Sequence, residues 1–162
     1  MKYENTVWDK FACTHLTNQV LQFHEKMGIP IQSDGPKVPS NDRIRLRMRM
    51  KVEEFFETLR AVYPNHISMT RTEMFVSDIV EFGVIRVNLP QLVDGICDQA
   101  YINEGTLIEF GVNPYPIAEA IHQANMRKVG GPMREDGKQL KPDGWKPADV
   151  AALLVEQGWK PE

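Results

Sequence analysis

The amino-acid sequence predicts an all-α protein, a small helical bundle in one domain. Three observations carry that reading. Four segments place apolar residues three and four positions apart, the spacing of one helical face. Glycine, proline and capping residues cluster at the segment ends. A chain of 162 residues, 42% hydrophobic and 25% charged and without internal repeat, is large enough and apolar enough for one globular core. The domain is expected to span 1–162, with its core at about 6–130 and a lysine-rich loop and short helix over 131–162.

The first helix is predicted over about residues 6 to 27, with Cys13, Leu16, Val20, Phe23 and Met27 as its core stripe. Gly28 caps it and Pro30 stops it. Residues 30 to 41 hold three prolines and read as a loop. The second helix begins near Asn41 or Asp42, both good N-caps, and ends at Pro64. Its stripe is Ile44, Met48, Val52, Phe55, Leu59 and Val62. Residues 65 to 87 are apolar with mixed period, so a short helix and an extended stretch both fit. The third helix has Asn88 as cap, Pro90 in its first turn and Gly105 as a candidate end. Leu89, Val93, Ile96 and Ala100 make its stripe. The fourth starts near Asn113 or Pro116, carries Ile117, Ile121 and Ala124, and closes at Gly130 and Gly131. A polar loop over 132 to 146 precedes a last helix from Pro147 to about Gln157, capped by Gly158. Each long helix keeps a polar flank that can turn inward in a dimer.

Composition excludes several classes of function. The formal net charge of −3 argues against a broad nucleic-acid footprint. No run of about 18 apolar residues offers a membrane span, and the first residues lack the apolar centre of a secretory signal, so a cytoplasmic protein is expected. Cys13 and Cys97 make neither a disulfide framework nor a zinc site. Neither a GxxxxGK[ST] phosphate loop nor a GxGxxG stretch occurs.

The strongest chemical signal is acidic. Glu53, Glu54 and Glu57 fall within one arc of about 100° on the second helix. Asp94 and Asp98 lie one turn apart on the third. Two helices that bring paired carboxylates to one surface make an oxygen cage, which suits hard magnesium. Two such ions about 3.5–4 Å apart could clamp the attacking and leaving oxygens of a phosphoryl displacement. The plainer reading is a wet helix face, since the glutamates lie roughly opposite Val52, Phe55 and Leu59. Asp94, Gly95 and Asp98 favour chemistry, because poor helix formers inside a good helix break a local rule without local benefit. Close helix packing is the structural alternative for Gly95. Arg43, Arg45, Arg47, Arg49 and Lys51 read as surface charge, with Arg49 and Lys51 at pairing distance from Glu53 and Glu54.

The fourth helix carries Glu119, His122, Asn125 and Lys128 three residues apart, and Lys138 and Lys141 follow. An amide and several ammonium groups could hold a polyphosphate and offset its charge. A solvated face is the bland alternative for each residue singly. Glu119–His122 is the chain's one ExxH pair, whereas di-iron bundles use two such pairs and two further glutamates, so di-iron chemistry ranks low.

Three segments in order resemble a known family. RMKVEEFFETL (Arg49 to Leu59), LVDGICDQAY (Leu92 to Tyr101) and EAIHQANMRKVGGPMREDGKQLKPDGW (Glu119 to Trp145) are similar to the all-α nucleoside triphosphate pyrophosphohydrolases. That superfamily includes MazG, phosphoribosyl-ATP pyrophosphohydrolase and the dimeric helical dUTPases. The resemblance covers roughly residues 43 to 147. It implies a MazG-type four-helix bundle assembled as a dimer or higher oligomer, with the site near the subunit interface. It further implies magnesium, or manganese in its place, and a nucleoside triphosphate as partner. Neither nucleic acid nor membrane is expected.

Metal ligation passes by resemblance to Glu54 and Glu57, with Asp94 as a third ligand. Glu53 and Asp98 are the candidates to orient or deprotonate water, and Asp98 could instead be a further ligand. The family's ExxD motif is departed from: Gln91 precedes Asp94 and Gly95 precedes Asp98 by three, which leaves the ion count open. Asn125, Lys128, Lys138 and Lys141 are the expected nucleotide and phosphate contacts. The alternative is a non-catalytic bundle that binds a nucleotide or a protein. Base, sugar and biological role, from house-cleaning of abnormal nucleotides to dUTP control or alarmone turnover, are open at this stage.

Overall fold

The computed structural model describes Trp8 and residues 13–64 and 66–161. The regular elements among them are all helices: α1 (His15–Met27), α2 (Asn41–Val62), α3 (Met69–Phe82), α4 (Leu89–Glu109), α5 (Pro114–Met126) and α6 (Val150–Glu156). Two compact units divide the chain. One comprises Met1–Lys37, Leu89–Arg134 and Gln139–Glu162; the other comprises Val38–Asn88 and Glu135–Lys138. No described helix is long and apolar enough to cross a membrane.

In the first unit, α1 starts later than its apolar pattern suggests. The Thr14 side chain accepts from the Thr17 backbone N–H at 3.1 Å and caps a helix that begins at His15. The expected single helix from about residue 6 is therefore corrected. Apart from Trp8, its stretch before Cys13 lies outside the described residues. Gly28 ends α1 as expected, in the left-handed conformation (φ 64°) that glycine adopts without strain. The expected stripe is only partly covered: Leu16 and Val20 are exposed, whereas Gln19 is 4% exposed.

Gln19 is buried because α1 packs on α5 through a polar knot. Glu119 accepts from Gln19 at 2.7 Å and from Gln123 at 3.0 Å, and meets His15 Nε2 at 3.0 Å. The His15 and Tyr115 rings lie 4.9 Å apart above it. Hydrogen bonds from Gln123 and then from His15 lead in holding the Glu119 carboxyl below its ordinary range. On α5 itself, His122 and Ala124 are buried. Asn113 caps this helix, accepting from Tyr115 N–H at 3.0 Å, and the helix ends at Met126, short of the two glycines expected to close it. Gln157 ties α6 to α5 by accepting from Asn113 N–H at 2.8 Å and donating to its carbonyl at 3.1 Å. α6 starts at Val150 behind an Asp149 cap, rather than at Pro147.

Helix α4 runs through Gly105 to Glu109, so Gly105 does not end it. Its expected stripe is bare, with Val93 and Ile96 exposed and no buried residue along its length. Among the described residues of this chain, a Cβ at Gly95 would meet nothing within 4 Å.

The second unit is a helical hairpin. Ser40, not Asn41 or Asp42, caps α2, accepting from Arg43 N–H at 3.4 Å. Residues 66 to 87 hold α3, followed from about residue 84 by chain without regular secondary structure. The surface that α2 gives to α3 is not its predicted apolar stripe. Leu46 and Phe56 are each 2% exposed, while Phe55 and Val62, on the opposite side of the helix, are 58% and 60% exposed. The bound face also carries Arg45, Arg49, Glu53 and Arg60, at the spacing of one helical side.

These charges are tied down one by one. Arg45 donates to the carbonyls of Val80 at 2.7 Å and Gly83 at 3.3 Å, and also to that of Glu81, so it caps the C-terminal end of α3. Arg49 pairs with Glu81 at 2.7 Å and with Asp136, and Arg60 pairs with Glu73. The Glu81 hydrogen bond leads in pushing the Arg49 guanidinium to still firmer protonation. The expected pairing of Arg49 with Glu53 is thus corrected: carboxylates from α3 and a distant loop hold Arg49 instead.

Candidate active site

The acidic face of α2 is where expected residues meet. Glu54 and Glu57 are exposed, and Glu53 is half-buried beside the bound face. The Glu53 carboxylate pairs with the Lys138 ammonium, 85 positions away. A short loop makes that meeting. The Asp136 side chain accepts from the Lys138 backbone N–H at 3.1 Å, closing a tight turn. Gly137 sits in it at φ 86°. A Cβ there would come within 3.4 Å of the Arg43 guanidinium and 3.9 Å of the Leu46 side chain, so glycine serves both the turn and the close approach to α2. Asp136 clamps the same loop by pairing with Arg49. Within this unit Glu53–Lys138 and Glu81–Arg49–Asp136 are two ion-paired groups, and the Lys138 backbone N–H on Asp136 joins them.

The remaining expected residues belong to the other unit. Asp94 and Asp98 are exposed on α4. Asn125 is half-buried on the last turn of α5, and Lys128 follows it in a turn, its backbone N–H donating to the Asn125 carbonyl at 3.0 Å. Lys128 and Lys141 both approach the face of Trp145, their ammonium groups 5.6 and 4.6 Å from the ring centroid. Gln139 fixes the backbone here, its amide donating to the carbonyls of Gly131 at 2.9 Å and of Lys128 and Pro132 at 3.2 Å.

Among the described residues no three His, Cys, Asp or Glu side chains gather closely enough to hold a metal by themselves. The Glu119–His122 pair does not act as a unit: Glu119 is engaged by His15, Gln19 and Gln123, and His122 is buried. An open apolar cavity of about 360 Å³ lies among Trp8, Leu16, Val20, His24 and Pro30, and contains none of the expected residues. Sequence reasoning missed Asp136, Glu81 and Trp145. The Asp-Gly dipeptide at 136–137 is a turn signal that could have marked the first of them.

The family model for phosphoribosyl-ATP pyrophosphohydrolase matches residues 20–125, well over half of the chain. The chain belongs to that family. It is a nucleotide pyrophosphohydrolase, a hydrolase acting on acid anhydrides. The matched stretch of this family member holds Glu53, Glu54, Glu57, Asp94, Asp98 and Asn125, while Lys128, Lys138 and Lys141 lie beyond it. A search of curated proteins returns no match.

Proposed function

We propose that this pyrophosphohydrolase cleaves a nucleoside or deoxynucleoside triphosphate to the monophosphate and pyrophosphate, with magnesium or, in its place, manganese. The observation that carries the reading is the Glu53–Lys138 pair, which joins the acidic helix to the basic loop within one unit. A polyphosphate bridged to carboxylates by a divalent cation needs both signs of charge side by side. Glu54 and Glu57 are exposed oxygen donors one turn apart, which fits a hard ion that keeps several waters. In this reading they hold the ion with Asp94. When bound, such an ion acidifies water and neutralises phosphate charge.

The chain's own groups do the rest. A water oxygen attacks the α-phosphorus, its bond to the bridging oxygen breaks, and pyrophosphate departs. Glu53 or Asp98 takes the proton of the attacking water. Lys138 exchanges Glu53 for a phosphate oxygen as substrate arrives. Lys128 and Lys141 offset the charge of the leaving pyrophosphate, and Asn125 contacts the nucleotide. Phe55, Val62, Phe75 and Phe82 in one unit, and Val93 and Ile96 in the other, are exposed apolar side chains of the kind that interaction surfaces use. We assign them to the contacts of a homo-oligomer, a dimer or a tetramer.

The test is incubation with each nucleoside and deoxynucleoside triphosphate and with phosphoribosyl-ATP, with magnesium and with EDTA. The reading expects equal amounts of monophosphate and pyrophosphate from at least one triphosphate, abolished by EDTA. Turnover of phosphoribosyl-ATP alone would overturn the substrate assignment and keep the family activity.

A further inference from the structure

We propose that Trp145 is a positioning residue, whose indole ring holds the Lys128 and Lys141 ammonium groups for the pyrophosphate part of the substrate. The inference rests on the hydrolase reading above and adds a residue to it. The ring is fixed from one edge: its N–H donates to the Ala124 carbonyl, on the last turn of α5, at 2.7 Å. A turn brings it there, with Trp145 backbone N–H donating to the Pro142 carbonyl at 3.1 Å and Gly144 at φ 73°. With the indole so anchored, Lys141 Nζ stands 4.6 Å and Lys128 Nζ 5.6 Å from its centroid. Both fall within the roughly 6 Å over which an aromatic face attracts a cation.

A contact between an ammonium group and an aromatic face differs in kind from a salt bridge. A carboxylate neutralises an ammonium group, as Glu53 does for Lys138. An aromatic face orients the ammonium without cancelling its charge, because the ring is a quadrupole with no net charge. Both ammonium groups lie within reach of one ring, so a ligand of two or more negative charges can engage the two together. Trp145 thus arranges charge in advance of binding, so less side-chain freedom is lost when pyrophosphate arrives.

The N–H edge and the face of Trp145 can be tested apart. Trp145→Phe keeps an aromatic face and loses the N–H bond to Ala124; Trp145→Leu loses both. Inorganic pyrophosphate is titrated by calorimetry into the full chain and both variants, alongside melting temperature, KM and kcat on whichever nucleotide the wild type cleaves. The proposal expects Trp145→Phe to melt lower yet hold its pyrophosphate Kd within about twofold of wild type. Trp145→Leu should raise that Kd and KM about tenfold, with a smaller fall in kcat. Lys141→Gln, a surface change that should fold even if Trp145→Leu does not, should raise Kd severalfold. Unchanged pyrophosphate affinity in Lys141→Gln, or Phe and Leu variants that weaken it equally, would overturn the positioning role and leave the hydrolase reading standing. A wild type that neither binds pyrophosphate nor cleaves any nucleotide would overturn both.

Discussion

The two sides of α2 reverse the usual relation between polarity and burial. The side against α3 carries four charged residues around Leu46 and Phe56, and every one of those charges has an opposite partner or a row of carbonyls. The opposite side carries Ile44, Met48, Val52, Phe55, Leu59 and Val62, yet Phe55 and Val62 stand in the open. An ionic seam supported by two large apolar side chains closes the hairpin. The regular apolar stripe stays half-covered, with Phe55 and Val62 exposed at 58% and 60%. Between these sides run Glu54 and Glu57, exposed and at the edge of both. An acidic pair so placed is held by a stiff helix while its carboxylates stay accessible.

Core truncation probes this contrast most strongly. Phe56→Ala and Leu46→Ala should each cost about 3–4 kcal/mol in urea unfolding, because both side chains are buried. Phe55→Ala, next in sequence, should cost less than about 1 kcal/mol at protein concentrations where the chain is monomeric. Equal losses at 55 and 56 would erase the distinction between the faces.

Charging the bare side comes next. Phe55→Asp combined with Val62→Asp should weaken self-association about a hundredfold in sedimentation equilibrium while far-ultraviolet circular dichroism stays as in wild type. A variant that self-associates as wild type does would show that this side is not the interface.

The ionic seam should respond more modestly. Lys138→Met leaves the half-buried Glu53 carboxylate without this ammonium partner and should lower stability by about 1–2 kcal/mol, an amount reduced by the remaining solvent access. Added salt should narrow the gap between variant and wild type.

The smallest effect lies in the other unit. Because the Glu119 carboxyl is held below its ordinary range, its contribution is fully present above its ordinary value near 4.5. That contribution is lost as pH falls through the depressed native value. Glu119→Gln should therefore bring a shallower acid limb in stability-against-pH curves and little change in slope near neutrality. An acid limb as steep as that of wild type would contradict the depressed value.

The helices were legible because apolar spacing, caps and prolines are local signals. Gly28 and Asn113 stand at helix ends as read, and Pro90 lies in the first turn of α4. Gly105 misled because one glycine in a helix of 21 residues costs only about 1 kcal/mol, which its other residues outweigh. The direction of α2 was not legible, since periodicity finds an apolar face without saying what covers it. Arg45, Arg49 and Glu53 find partners between 32 and 87 positions away, beyond the range of any helical pairing rule. For the site, the acidic triplet was plain in the sequence. The meeting of Glu53 with Lys138 was not, because it depends on a turn at Gly137 whose only sequence trace is a dipeptide.

In the proposed mechanism, hydrolysis depends most on the exposed carboxylates of α2. The decisive measurement is pyrophosphate release by wild type, Glu54→Gln and Glu57→Gln across a magnesium titration, on the best triphosphate substrate. Each substitution keeps shape and removes one oxygen anion, so rates should fall about a thousandfold or more with unchanged melting temperature, and the magnesium requirement should rise. Wild-type rates in both variants would contradict the assignment of catalysis to this face.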